Sequence, residues 1–255
     1  MREAVIVSAA RTAIGRAKKG SHRDTPPEYF ASKMIEGLVE RTPGLEKEMV
    51  GDIIMGCAMP EGEQGMNVAR LIGLAAGFPT SVPAITVNRF CCSGSQTIAL
   101  AADSIRAGNS NVVIAGGVES MSMVAMGGNK PIAYPGLMES MPNAYAAMGT
   151  TAEVVAKRYK ITREMQDEFA YNSHRKAVAA LEAGKFAEEI VPLEVRVREN
   201  GKWREFVFDT DEGPRADTTV EGLAKLKPVF YPIVTVTAGN ASQINDGEAA
   251  VVIMG

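Results

Sequence analysis

Three cysteines and two histidines are the side chains of this 255-residue sequence best suited to nucleophilic or proton-transfer chemistry. Two of the cysteines, Cys91 and Cys92, are adjacent and lead into Ser93-Gly94-Ser95. A thiol attacks carbonyl carbon as its thiolate, so what matters is whether either sulfur sits where an anion is favoured. The surrounding stretch, AITVNRFCCSGSQTIALAADSIRAG from Ala84 to Gly108, predicts a strand, a sharp turn and a helix. Ile85, Thr86 and Val87 are of strand type, with Pro83 in front. Ile98, Ala101, Ala102 and Ile105 recur at helical spacing, Ser93 and Gln96 have the spacing of a capping box, and Gly108 supplies a stop. Cys91 and Cys92 then face the positive end of a helix, a placement that can lower a thiol pKa from about 8.5 to ~3.5–7.5. A strand-to-helix turn also projects its apex side chain, which makes one of the two a candidate nucleophile. The competing reading, two buried thiols packing as small apolar groups, is the commoner fate of an intracellular cysteine, and local features alone slightly favour it.

The remaining candidates have a weaker claim. Cys57, in the Gly-rich loop GCAMPEGEQG, has no basic neighbour and reads as structural. His22 lies in the charged loop KKGSHRD, and His174 follows Ser173 on an amphipathic helix beside Arg175. Both read as solvated surface groups, and neither is placed as a base for a cysteine. No spacing of His, Cys, Asp or Glu suggests a metal site.

Positioning these residues requires an α/β fold. Ala4–Ser8, Asp52–Met55, Ile85–Val87 and Val112–Ala115 are short apolar runs, the last closed by Gly116 and Gly117. Helical patterns at 28–40, 66–76 and 93–107 separate them, so the chain predicts βαβ units and a mostly parallel mixed sheet of about five strands covered by helices on both faces. From Glu119 the texture changes. Met121, Met123, Met126, Met138, Met141 and Met148 are interspersed with Gly127, Gly128, Pro131, Pro135 and Pro142, a composition suited to irregular core filling or to a ligand tunnel. A helix at 151–159, a second one capped by Thr162 with Met165, Phe169, Val178 and Leu181 on one face, and a hairpin turning at Asn200-Gly201 follow. The strand Ala249–Met254 returns to the first texture. The expected organisation is an α/β domain at 1–118 and 233–255, interrupted by an inserted domain at 119–232.

Composition excludes several function classes. The 27 basic and 30 acidic residues give a net charge of −3, with no basic block and no aromatic residues interleaved with basic ones, which argues against nucleic acid or an anionic membrane. An odd cysteine count with two adjacent residues is no disulfide framework. The N-terminal apolar run is too short for a signal segment or membrane span, so a cytoplasmic location is expected.

At VNRFCCSGSQ, VVIAGGVESMS, AAMGTTAE and TVTAGNASQINDG, with MREAVIVSAARTAIGR at the start, the sequence resembles the thiolase family from Met1 to Gly255. It is most similar to the degradative 3-ketoacyl-CoA thiolases. The resemblance covers only the N-terminal half of such an enzyme and implies a thiolase-like N-terminal domain with an inserted loop domain that covers coenzyme A. It implies that Cys91 attacks the 3-keto group of a 3-ketoacyl-CoA, releases acetyl-CoA and holds the shortened acyl group for transfer to CoA. It further implies that Met148 lies beside the bound thioester and that Ser242 and Ala238 bind the CoA moiety. No permanently bound cofactor is implied, CoA being a substrate. The partners implied are acyl-CoA, CoA and a second copy across the strand carrying Asn88 and Arg89, giving a dimer or tetramer.

Cys92 and Ser95 stand where the family usually has Ser and Leu. The Gly-His-Pro histidine, second cysteine and Asn-Glu segment of a complete thiolase have no counterpart in this sequence, so the chain alone is expected to be inactive or nearly so. A separate or covalently linked C-terminal half would supply them, and without it apolar surface is expected to drive self-association. The alternatives are a biosynthetic acetyl-CoA C-acetyltransferase and a non-catalytic acyl-CoA-binding or assembly protein.

Overall fold

A computed structural model of the chain describes residues 2–230 and 235–255, which form two compact units. The first comprises Met1–Asn129, Phe186–Glu212 and Ile244–Gly255, the second Lys130–Lys185 and Gly213–Gln243. In chain order the elements are β1 Val5–Arg11, β2 Gly15–Arg16, α1 Pro27–Glu40, β3 Asp52–Gly56, α2 Val68–Ala75, β4 Ala84–Val87, α3 Ser93–Arg106 and β5 Val112–Ser120. They continue with α4 Pro135–Ser140, α5 Met148–Tyr159, α6 Arg163–Glu182, β6 Leu193–Glu199, β7 Lys202–Phe208, α7 Val220–Ala224 and β8 Asn245–Met254.

The first unit is built on a sheet of order β1-β8-β5-β3-β4, with β2 also paired to β8. β3 pairs in parallel with both β4 and β5, as the alternating strands and helices require. β8 runs against both β1 and β5, so the sheet is mixed, with one reversed strand between parallel neighbours. The β-branched and apolar runs of β3, β5 and β8 are buried because helices cover both faces. Phe30, Met34, Ile35 and Leu38 of α1 and Ile72 of α2 pack on one face with Ile53, Ile114 and Val252. Ala101 and Ile105 of α3 meet Ile54, Val113, Ala115 and Ile253 on the other. Each of the buried Val, Leu, Ile, Phe and Met side chains contributes about 1.5–3 kcal/mol by leaving water.

Four sequence expectations change. Gly116 and Gly117 do not end β5, which continues to Ser120. They are close-approach glycines: a Cβ on Gly116 would lie 2.3 Å from the Ala249 carbonyl oxygen, and one on Gly117 would lie 3.3 Å from that of Gly56. β1 is not buried on both faces, since Val5, Ile6 and Val7 at the edge of the sheet are about half exposed. The Asn200-Gly201 hairpin forms as expected, both turn residues having positive φ, but it belongs to the sheet unit rather than to the second unit. His22, expected in solvent, is fully buried between Phe30 and Phe208. Lys18 and Lys19 are exposed and Arg23 and Asp24 partly covered, while the His22 ring fills the core.

In the second unit Thr162 caps α6 as its residue type predicts, its Oγ1 accepting from the Met165 N–H at 3.3 Å. Met165 and Phe169, expected on the buried face, are exposed, and the buried residue of that helix is Asp167. Arg163 holds Asp167 at 2.8 Å, and Asn240 donates to the same carboxylate at 2.8 Å, so a buried charge is paired and hydrogen-bonded. The expected boundary at 232/233 lies outside the described residues.

Candidate active site

The turn between β4 and α3 carries Cys91 and Cys92, and three layers of structure fix it. β4 ends at Val87, whose carbonyl accepts from the Cys57 N–H at 3.0 Å. Asn88 then closes a local turn, its Oδ1 accepting from the Phe90 N–H at 2.8 Å. Ser93 Oγ accepts from the Arg89 N–H at 2.9 Å and donates to the Phe90 carbonyl at 2.6 Å. Ser93 therefore ties the turn together from inside the first turn of the helix. The expected capping box with Gln96 does not form, because that hydroxyl is already committed to Arg89 and Phe90.

Phe90 occupies the left-handed region with φ of +47°, immediately before Cys91. A bulky residue held there costs of order 1–3 kcal/mol, and such strain clusters at functional turns. Phe90, Cys91 and Cys92 form a single 3-10 turn that runs into α3, and all three are exposed. The reading of two buried packing thiols is thus overturned. The two sulfurs differ in their partners: the Cys92 thiol donates to the Arg89 carbonyl at 3.1 Å, an intraturn bond that occupies it.

Glycines bring the start of α3 down onto the sheet. A Cβ on Gly56 would lie 2.6 Å from the carbonyl carbon and Cβ of Ser93, and one on Gly117 would lie 3.5 Å from the Gly94 Cα. Thr97 Oγ1, one turn along the helix, lies 3.0 Å from the Gly116 carbonyl. The helix N-terminus and its cysteines are therefore seated at the C-terminal end of β3, beside the middle of β5. This is where an α/β sheet places ligand chemistry.

Cys57 is buried at the end of β3. Burial and the nearby Glu119 carboxylate push its thiol up to about 12, so it stays protonated and is no nucleophile. Burial lowers the His22 imidazole to about 4, and its Nε2 lies 3.2 Å from the Ala13 carbonyl. It is walled into the core and cannot serve an exposed cysteine. His174 belongs to the second unit, where its Nδ1 accepts from the Arg215 N–H at 3.1 Å. Among the described residues there is no group of three or more His, Cys, Asp or Glu able to hold a metal, and no helix long and apolar enough to cross a membrane.

The other three expected site residues, Met148, Ala238 and Ser242, lie in the second unit. Met148 is the first residue of α5, and all three side chains are exposed. The loop carrying Ala238 and Ser242 is braced from below. Glu153 of α5 accepts from the Thr235 and Val236 N–H groups at 2.9 and 2.8 Å and from the Thr235 hydroxyl at 2.5 Å, while Asn240 Oδ1 accepts from the Thr237 N–H at 2.7 Å. The donors around Glu153 outweigh the effect of burial and hold its carboxyl below the usual range. Neither brace was legible in advance, although the buried Glu of MGTTAE was the one sequence signal available.

Residues 4–255 match a family described as "Thiolase, N-terminal domain". The chain belongs to the thiolase family. Among curated relatives of this thiolase chain, the 3-ketoacyl-CoA thiolase of Bacillus subtilis (strain 168) is 50% identical over 259 residues, covering 100% of this chain and 66% of that protein. The acetyl-CoA acetyltransferase of Pseudomonas aeruginosa is 44% identical over 272 residues, covering 100% and 66%. The crystal structure of the Bacillus anthracis acetyl-CoA acetyltransferase superimposes with a TM-score of 0.84 at 40% identity, again over 100% of this chain and 66% of that one. The thiolase fold expected from the sequence is therefore present. The chain spans 64–66% of the length of the curated relatives it matches.

Proposed function

We propose that this chain provides the nucleophile and CoA-binding elements of a degradative 3-ketoacyl-CoA thiolase, acting in fatty acid β-oxidation in the cytoplasm as a dimer or tetramer. The observation that carries the reading is the exposed Cys91, without a hydrogen-bond partner among the described residues, following a strained residue at the helix N-terminus, beside a Cys92 whose thiol is taken. The Cys91 sulfur attacks C3 of a 3-ketoacyl-CoA and the C2–C3 bond breaks. The acetyl-CoA fragment takes a proton, and the acyl group remains on sulfur until the thiol of CoA displaces it. In this reading the second unit, Lys130–Lys185 and Gly213–Gln243, is the loop domain expected at 119–232, without 119–129 and the hairpin but with the loop carrying Ala238 and Ser242, and Met148, Ala238 and Ser242 contact the CoA thioester and pantetheine. The acid and base are supplied by residues outside this chain, since His22 is buried in the core and His174 is engaged elsewhere.

A biosynthetic acetyl-CoA acetyltransferase is the second reading, favoured by the names of the Pseudomonas relative and the Bacillus anthracis structure. Thiolysis assays on this chain joined to a complementary C-terminal part, with acetoacetyl-CoA and a longer 3-ketoacyl-CoA, separate the two. Turnover of both substrates, lost in Cys91→Ser and retained in Cys92→Ser, is the expected result. Turnover of acetoacetyl-CoA alone supports the biosynthetic reading, and none with either substrate counts against both.

A further inference from the structure

Glu119, near the end of β5, stands at the head of a run of hydrogen bonds that finishes at the Cys91 turn, entirely within the first unit. Its Oε2 accepts from the Ala58 N–H at 2.7 Å, and its Oε1 accepts from Gln64 Nε2 at 2.8 Å and from the Met59 N–H at 3.3 Å. Gln64 is itself fully buried, and its Oε1 accepts from the Ser120 N–H. The loop 57–59 is thereby fastened to β5. The Ala58 carbonyl then accepts from Asn88 Nδ2 at 3.0 Å, and Asn88 Oδ1 accepts from the Phe90 N–H at 2.8 Å. That last bond holds Phe90 at φ of +47°, which no bulky residue keeps without support.

Each link presents its amide or carboxylate in only one useful sense. A carboxylate suits the Glu119 position because every polar group directed at it is a donor, and a glutamine there would turn an NH2 toward N–H groups. Asn88 needs both ends of its amide, the NH2 for Ala58 and the oxygen for Phe90.

We propose that Glu119 is a positioning residue for Cys91, acting through Ala58 and Asn88 on the backbone of Phe90. Its importance for turnover rests on the reading of Cys91 as the nucleophile, but the coupling itself does not. If Asn88 is no longer anchored, the turn is free to relax and Cys91 leaves its seat at the start of α3, while Cys92 remains tied to Arg89.

The three cysteines give an internal test. Iodoacetamide labelling of the full chain is followed by peptide mass spectrometry at Cys57, Cys91 and Cys92 in the wild type, Glu119→Gln, Asn88→Ala and the double variant. The Cys91:Cys92 rate ratio is expected to fall about fivefold or more in each single variant and no further in the double, since both act on one path. Buried Cys57 is expected to stay unlabelled throughout. Asn88→Asp, which keeps the acceptor for Phe90 and loses the donor to Ala58, is expected to make a subsequent Glu119→Gln silent. An unchanged ratio in Glu119→Gln, additive losses in the double variant, or labelling of Cys57, which would mark simple loosening of the loop, overturns the proposal. Failure of the acyl-transfer reading is a separate result: wild-type Cys91 would not take an acyl group, whatever the labelling ratios.

Discussion

Phe90 is the strained residue of the turn that carries the two adjacent cysteines, yet nothing in its residue type marks it. A left-handed φ is legible in a sequence when glycine or asparagine occupies the position, as at Asn200-Gly201, and illegible when neighbouring hydrogen bonds force it on a phenylalanine. Local chemistry indicated Cys91 and Cys92 as the pair of interest, whereas their exposure and the capture of the Cys92 thiol by Arg89 depend on the folded turn. His22 was misplaced for a related reason: the charges flanking it suggested solvent, but its ring fills a gap between Phe30 and Phe208. That burial has a pH signature. The unfolded histidine takes up a proton below about 6.5, while the folded one remains neutral until about 4, despite the opposing pull of Glu212. Its contribution is therefore complete above pH 6.5 and is lost as the pH falls from there toward 4, a span worth about 3 kcal/mol. Urea unfolding between pH 4.5 and 7 should show a steeper decline of stability on acidification for the wild type than for His22→Leu. Equal slopes would mean that the imidazole is solvated in the native state.

At the level of elements, the βαβ rhythm was legible because buried parallel strands leave continuous apolar runs and their crossover helices leave a 3.6-residue period. The reversal of β8 was not, since an antiparallel strand buried on both faces carries the same apolar signature as a parallel one. Nor was the role of the glycines near α3. Gly56, Gly116 and Gly117 read as punctuation, but they allow the helix and a neighbouring strand to approach the sheet closely. Gly56→Ala is expected to destabilise the fold by about 1–3 kcal/mol, because its methyl group would meet the Ser93 backbone at 2.6 Å. Gly94→Ala, on the same helix but with open space around the added methyl, is expected to be neutral or to stabilise by up to about 1 kcal/mol. Chemical denaturation of the two variants checks the pair. A harmless Gly56→Ala would show that α3 is not seated on β3 as described.

For the whole molecule, the nucleophile turn belongs to one compact unit and the braced loop carrying Ala238 and Ser242 to the other. Val5, Ile6 and Val7 leave an apolar, about half-exposed strand at the edge of the sheet in the first unit. All of this serves acyl transfer only if Cys91 is the atom that receives the acyl group. The most direct measurement is peptide mass spectrometry after brief exposure of this chain, paired with the C-terminal part of a thiolase, to acetoacetyl-CoA in the absence of free CoA. An acetyl group on the peptide sulfur of Cys91, absent in Cys91→Ser, is the expected outcome. Acetylation of Cys92 in its place, or an unmodified Cys91 while acetyl-CoA is released, would contradict the assignment.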